Sequence, residues 1–122
     1  MNEKNEWLGT EIRLSRTAIA ASQAQLAAAT GLSEQSIKRL ERLGANPRYK
    51  TIEKIKEVFK LLGVQLERQE TGINIHLTKE VRDAIKNGTI SQLTSGKVIE
   101  LESAIKDQES KGEDRSDGET AE

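Results

Sequence analysis

The sequence predicts a mainly α-helical fold: a compact bundle of short helices over residues 8–63, a short β-hairpin over 64–77, and C-terminal helices after it. Three observations lead there. Apolar residues in the first half recur at helical spacing, with capping residues in front of the runs and glycines behind several of them. The spacing then becomes strict alternation in Val64-Gln65-Leu66-Glu67-Arg68 and again in Ile73-Asn74-Ile75-His76-Leu77. From Thr78 onward the helical period returns.

Taken in order, Thr10 is placed to cap a first helix over about residues 11–20, with Ile12, Ala18 and Ile19 inward. Trp7, just before it, is expected to lie over the core as a lid. Ser22 caps a second helix, 23–29, with Leu26 and Ala27 inward. The run Ala27-Ala28-Ala29 combines high helix propensity with little bulk, so another helix can approach closely. Gly31 follows, where the chain needs the left-handed conformation that glycine adopts at least cost. Leu32 turns into the core, and Ser33 caps a third helix, 34–42, with Ile37 and Leu40 inward.

Gly44, Asn46 and Pro47 form the next loop. Thr51 caps a fourth helix, 52–62, in which Ile52, Ile55, Val58, Phe59 and Leu62 keep the helical period, and Gly63 ends it. Gln69-Glu70-Thr71-Gly72 makes the hairpin turn. Two isolated strands are barely stable, so the hairpin must pack on the helices or pair with another copy. Thr78 opens a helix over 79–87, with Val81 and Ile85 on one side, stopped at Asn87-Gly88. A last amphipathic stretch over 97–107 lines up Val98, Leu101 and Ile105. Residues 107–122 are polar and acidic and are expected to be a disordered tail.

Composition narrows the function. With 122 residues, 34% hydrophobic and 32% charged, the chain can bury a small core but not a deep enzyme cleft. Trp7, Tyr49 and Phe59 are its only aromatic residues. Proteins that bind single strands by stacking need several aromatic platforms, which argues against that mode. There is no cysteine and a single histidine, His76, so neither a disulfide framework nor a metal site is expected. His76 falls on the polar side of its strand, as an exposed residue. The sequence shows no nucleophile beside a base and no glycine-rich phosphate loop, so neither catalysis nor a cofactor is expected. Without an apolar span or a secretory leader, a cytoplasmic location is expected.

The net charge of −1 hides an asymmetry: residues 1–68 sum to +4 and residues 69–122 to −5. The basic half holds Lys38, Arg39, Arg42, Arg48, Lys50, Lys54, Lys56 and Lys60. That distribution suits a phosphate-facing surface on one part of the molecule. The same half contains two short helices joined by a tight turn, SQAQLAAATGLSEQSIKRLERLG, with polar and basic side chains on the second. This arrangement puts a helix into the major groove of double-stranded DNA.

Ser22-Gln23, Leu26-Ala27, Gly31, Ser33, Ile37 and Glu41 fall at the spacing S-Q-x-x-L-A-x-x-x-G-x-S-x-x-x-I-x-x-x-E, which resembles the phage repressor/Cro-like (Xre) helix-turn-helix family; Arg16 fits as well. The resemblance covers about residues 11–63. The chain departs from the pattern at Leu43, where the family usually has glycine; Gly44 follows one residue later. The resemblance implies a lambda-repressor-like bundle of five short helices. Four are visible in the first 62 residues; the fifth corresponds to the turn near Pro47–Lys50 or is missing or displaced by the hairpin.

By motif position, the third helix is the recognition helix, and Glu34, Gln35, Ser36, Lys38 and Arg39 are the candidate base contacts. Gln35 can exchange two hydrogen bonds with adenine N6/N7, and Arg39 can donate two to guanine O6/N7, each pair worth about 1–3 kcal/mol of discrimination. Glu34 can accept from cytosine, or serve only the helix dipole. Gln23 opens the second helix where a phosphate can be caught. Arg42, Arg48, Lys50 and Lys54 are candidate backbone contacts, and the resemblance lets Arg48 reach toward the minor-groove edge. The resemblance also implies a structural ion pair between Arg16 and Glu41, joining the first helix to the end of the third.

One such helix reads few base pairs, so a homodimer on a two-fold site is expected. The hairpin edge and the 97–107 stripe are its two candidate interfaces. The expected role is a transcriptional regulator acting as a repressor at the nucleoid of a bacterium or phage. The alternative is an antitoxin-like or adaptor protein whose C-terminal half, from residue 78, binds a protein partner.

Overall fold

The computed structural model describes residues 6–42 and 45–111. Among these residues eight elements follow one another: α1 (Leu8–Ala18), α2 (Gln23–Thr30), α3 (Glu34–Leu40), α4 (Tyr49–Leu62), β1 (Val64–Gln69), β2 (Gly72–Leu77), α5 (Lys79–Asn87) and α6 (Ile90–Lys111). The structure is thus mainly helical, with a helix-turn-helix region, a two-stranded antiparallel hairpin and C-terminal helices.

Local chemistry sets most boundaries. The Ser22 hydroxyl accepts from the Gln25 N–H, and the Gln25 side chain accepts from the Ser22 N–H, closing a reciprocal cap at the start of α2. The Ser33 hydroxyl accepts from the Ser36 N–H in the same way at α3. Between them Gly31 sits at φ 80°, and the turn is tight for that reason. Thr78 caps α5 by accepting from the Val81 N–H, and α5 ends at Gly88.

Four helices depart by two residues or more from the bounds the sequence predicts. Helix α1 starts at Leu8, so Thr10 lies inside it, and the preceding Trp7 is 52% exposed and no lid. Helix α3 ends at Leu40, with Glu41 as its C-cap and Arg42 just beyond. Helix α4 begins at Tyr49, three residues before the expected start. Pro47 disfavours helix at Asn46 before it, Arg48 is the extended N-cap, and the helix follows immediately. Residues 45–48 form no helix, so no fifth helix lies near Pro47.

The fourth difference is the largest. The last helix is twice the expected length: it begins at Ile90, seven residues early, and runs to Lys111, past the point where the tail was expected to begin. Its first two turns contain Ser, Thr and Gly96, poor helix formers by propensity. Tertiary packing supplies what propensity lacks. Ile90 and Leu93 pack against the core, Val98 is buried within it, and the buried Thr94 hydroxyl donates to the Ile19 carbonyl at 2.6 Å. The remaining tail, residues 112–122, and the Leu43-Gly44 departure lie outside the described residues.

A single hydrophobic cluster holds the fold. Ile12, Ile19, Leu26, Ile37, Ile55, Phe59 and Leu62 from the first four helices share it with Val64, Val81 and Val98. Helix α6 lies along α2: Gln25 Nε2 donates to Ser95 Oγ at 3.1 Å, and Ile105 reaches Gly31 at the far end. The Val98, Leu101 and Ile105 stripe is therefore covered by the molecule's own helices. In α5 it is Val81 and Ala84 that are buried, whereas Ile85 is largely exposed. The hairpin packs through β1 on α1 and α4, and Arg68 forms a two-pronged ion pair with Glu11 of α1. That hydrogen bonding raises the Arg68 guanidinium above its ordinary pKa.

The corner after α1 is strained in an identifiable way. Ala20 adopts φ 57°, while the Ala21 N–H bonds back to the Arg16 carbonyl and the Ala20 N–H to the Thr17 carbonyl. This is the glycine-type helix ending carried by an alanine, and the left-handed conformation costs a residue with a Cβ about 1–2 kcal/mol. Ala20 is exposed, so its methyl contributes little packing. Ala20→Gly should therefore stabilise the chain by about 1 kcal/mol. The expected reading is a higher urea midpoint at unchanged slope; a lower midpoint would contradict the strain.

Candidate nucleic-acid interface

Helices α2 and α3 are positioned from beneath. Leu26, Ala27 and Ala29 bury one side of α2, and Ile37 and Leu40 bury one side of α3. What remains outward on α3 is Glu34, Gln35, Lys38 and Arg39, followed by Arg42. Gln35 and Arg39 stand one helical turn apart and point the same way. Neither side chain makes a hydrogen bond or ion pair with another described residue, and neither do the side chains of Arg42, Arg48, Lys50 and Lys54. All six are exposed.

The other sequence-derived candidates are differently engaged. Lys38 and Glu34 approach to 4.0 Å across one turn, an exposed pair too loose to hold either side chain in place. Glu34 lies in the first turn of α3, where its charge favours the helix dipole. Ser36 is half-buried and accepts a hydrogen bond from the Ser33 hydroxyl at 3.0 Å, so it belongs to the cap more than to the outward face. The Gln23 side-chain amide, expected at a phosphate, donates instead to Glu41 Oε1 at 3.0 Å. Its own N–H and that of Ala24 remain at the start of α2.

Glu41 is the centre of this assembly. Arg16 grips its carboxylate with two hydrogen bonds, Nε to Oε2 at 2.6 Å and Nη2 to Oε1 at 2.9 Å. Arg16 Nη1 also donates to the Ala21 carbonyl, fastening the strained corner described above. Arg13 donates to the Glu41 carbonyl at 2.6 Å. Gly9 of α1 approaches the same backbone: a Cβ added there would come within 2.5 Å of the Glu41 carbonyl oxygen, so a larger residue would push α1 and α3 apart. One carboxylate thus joins α1, the start of α2 and the end of α3.

Several of these partners lie outside the residues that the motif's spacing marks. Gln25 was accessible, since a Gln three residues after a capping Ser is a known reciprocal cap. Arg13, Thr94 and Gly9 act on residues 28, 75 and 32 positions away, and nothing local marks them. A groove of about 770 Å³, bordered by Leu8, Tyr49, Ile52, Phe59 and Leu66, lies between α1, α4 and β1; no α3 residue lines it. Among the described residues there is no cluster of side chains suited to a metal ion.

With this geometry in view, the family comparison is informative. The family model described as Helix-turn-helix matches residues 12–67, from the middle of α1 into β1. Residues 12–67 are a helix-turn-helix domain of the Cro/C1-type, Xre-like family. No curated protein and no solved structure matches the chain. The domain points to DNA binding and transcriptional regulation.

The buried Glu41 pair generates a stability prediction. Glu41 is 6% exposed, and removing its charge leaves Arg16 without an ionic partner. Glu41→Ala should cost about 3–5 kcal/mol. The double change Arg16→Met with Glu41→Leu should recover most of that loss. Urea denaturation of the two variants beside the unchanged protein measures both, and a Glu41→Ala loss below about 1 kcal/mol would show that solvent screens the pair.

Proposed function

We propose that this chain is a sequence-specific repressor of transcription that binds double-stranded DNA as a homodimer, with α3 in the major groove. The observation that carries this reading is the outward face of α3. Gln35 and Arg39 are exposed and unpaired, on a helix held rigidly by Ile37 and Leu40 below and Glu41 at its end. An unpaired donor on a fixed support loses little entropy when it meets a base edge. In this reading Gln35 and Arg39 read bases, Lys38 reaches a base or a phosphate, and Glu34 serves the helix dipole. The N–H groups of Gln23 and Ala24, together with Arg42, Arg48, Lys50 and Lys54, meet phosphates.

No observation favours the adaptor reading over this one. The C-terminal half supplies Val81, Thr94 and Val98 to the common core, and its main apolar stripe lies on α2. Deleting residues from 78 onward therefore removes core, and such a deletion does not separate the two readings. No helix among the described residues is long and apolar enough to cross a membrane.

Site selection from random duplexes followed by salt titration tests the proposal. The logarithm of affinity should fall linearly with the logarithm of salt, by about 0.9 per phosphate neutralised. Arg39→Ala should lose about 1–3 kcal/mol and relax preference at one base pair, whereas Lys54→Ala should weaken all sequences alike and flatten the slope by about 1. Selection without any enriched motif, or an Arg39→Ala protein of unchanged preference, would refute base reading by α3.

A further inference from the structure

We propose that the acidic segment 112–122 occupies the basic outward face of α3 and the start of α4 when DNA is absent, and yields that face to DNA. Its consequence rests on the reading of this face as the DNA surface; its cause is charge and the path of the chain. Residues 112–122 hold Glu113, Asp114, Asp117, Glu119 and Glu122 against Arg115 alone, a net −4, which leaves +3 on residues 1–111. The acid that brings the whole chain to −1 is thus gathered in one short stretch.

On other parts of the molecule close ion pairs match cations to acids. Arg16 holds Glu41, Arg68 holds Glu11, Lys79 holds Asp83 and Lys97 holds Glu80, at 2.6 to 2.8 Å. Arg39, Arg42, Arg48, Lys50 and Lys54 have no such match: all five are exposed, and their side chains make no ion pair with a described residue. Lys38 adds a sixth cation, tied to Glu34 only at 4.0 Å. Like charges gathered without counter-charge raise the local potential and draw in a polyanion.

The course of α6 brings the acidic segment to this face. Helix α6 runs beside α2 in the same direction: Ser95 meets Gln25 near the start of α2, and Ile105 meets Gly31 just past its end. Residues 106–111 carry α6 about 9 Å further. Gly31 lies three residues before α3, which is about 10 Å long. Eleven residues reach up to about 36 Å, enough to run the length of α3 and beyond. By contrast, Arg82 and Lys86 of α5 adjoin the start of α6, about 33 Å of helix away. Exposed ion pairs are individually weak, so the contact depends on the chain holding the segment near, at an effective concentration on the order of millimolar. Duplex DNA, with a charge about every 1.7 Å, displaces it.

The test compares the full chain with a full-length variant carrying Glu113→Gln, Asp114→Asn, Asp117→Asn, Glu119→Gln and Glu122→Gln, which leaves every core residue in place. Without DNA at low salt, the backbone amide NMR signals of Gln35, Arg39 and Arg42 should differ between the two proteins. The difference should vanish near 1 M salt, where the screening length is about 3 Å. Against a random-sequence duplex the variant should bind about fivefold more tightly at low salt. Its affinity should also fall more steeply with salt, because DNA then replaces counterions alone and not an anionic segment already in place. Coincident α3 signals in the two proteins, or shifts confined to α5, overturn the docking even if the affinity changes, since repulsion at a distance then accounts for it. Shifted α3 signals with unchanged affinity overturn the competition. The NMR comparison contains no DNA, so a protein whose α3 signals shift but which selects no enriched motif loses the base-reading proposal and keeps the docking.

Discussion

The carboxylate of Glu41 is the point on which the candidate interface depends. It lies at the end of α3, buried, and takes two hydrogen bonds from Arg16 on α1 and one from Gln23 at the start of α2. A buried charge is tolerated only when its lone pairs are matched by well-placed donors, so the three helices can assemble in few ways. The close passage of Gly9 over the Glu41 backbone and the Arg13 bond to its carbonyl tighten the same junction. The outward direction of α3 is a consequence of how these donors converge behind it.

The C-terminal half completes this bundle. Helix α6 lies along α2, caps the end of α1 through Thr94 and contributes Val98 to the core. Helix α5 contributes Val81 to the same cluster. The helical cover that the first 62 residues leave incomplete is thus supplied from the far end of the chain. The hairpin packs through β1 on α1 and α4, anchored by Val64 and by the Arg68–Glu11 pair. Division of labour follows: α6 stiffens α2, and Glu41 stiffens α3.

Much of this was legible in the residues. Ser22, Gly31 and Ser33 announce the turn between α2 and α3 because capping and left-handed backbone are properties of a few adjacent residues. The hairpin was legible for the same reason, since alternation is local. The helical start at Ile90 was not, because Ser91, Thr94, Ser95 and Gly96 read as poor helix, and only the packing of Ile90 and Leu93 on the core and the bonds of Thr94 to Ile19 and of Ser95 to Gln25 override that preference. Size suggests burial for Trp7, yet it is 52% exposed, while Leu8 and Gly9 beside it are buried. At the candidate interface, Gln35 and Arg39 could be named from position in the motif, but the bond from the Gln23 side-chain amide to Glu41 could not, since it joins residues 18 positions apart.

By itself the sequence determined the class of the protein, the caps and turn of its helix-turn-helix, the strand alternation and the identity of the polar residues on α3. These follow from periodicity and from backbone preferences that act within a few residues. Only the tertiary structure decided which donors converge on Glu41, that α6 covers α2 and that Ser36 belongs to a cap. Those outcomes depend on contacts between residues tens of positions apart, and the free energy that selects them comes from burial and hydrogen bonding that no local window contains.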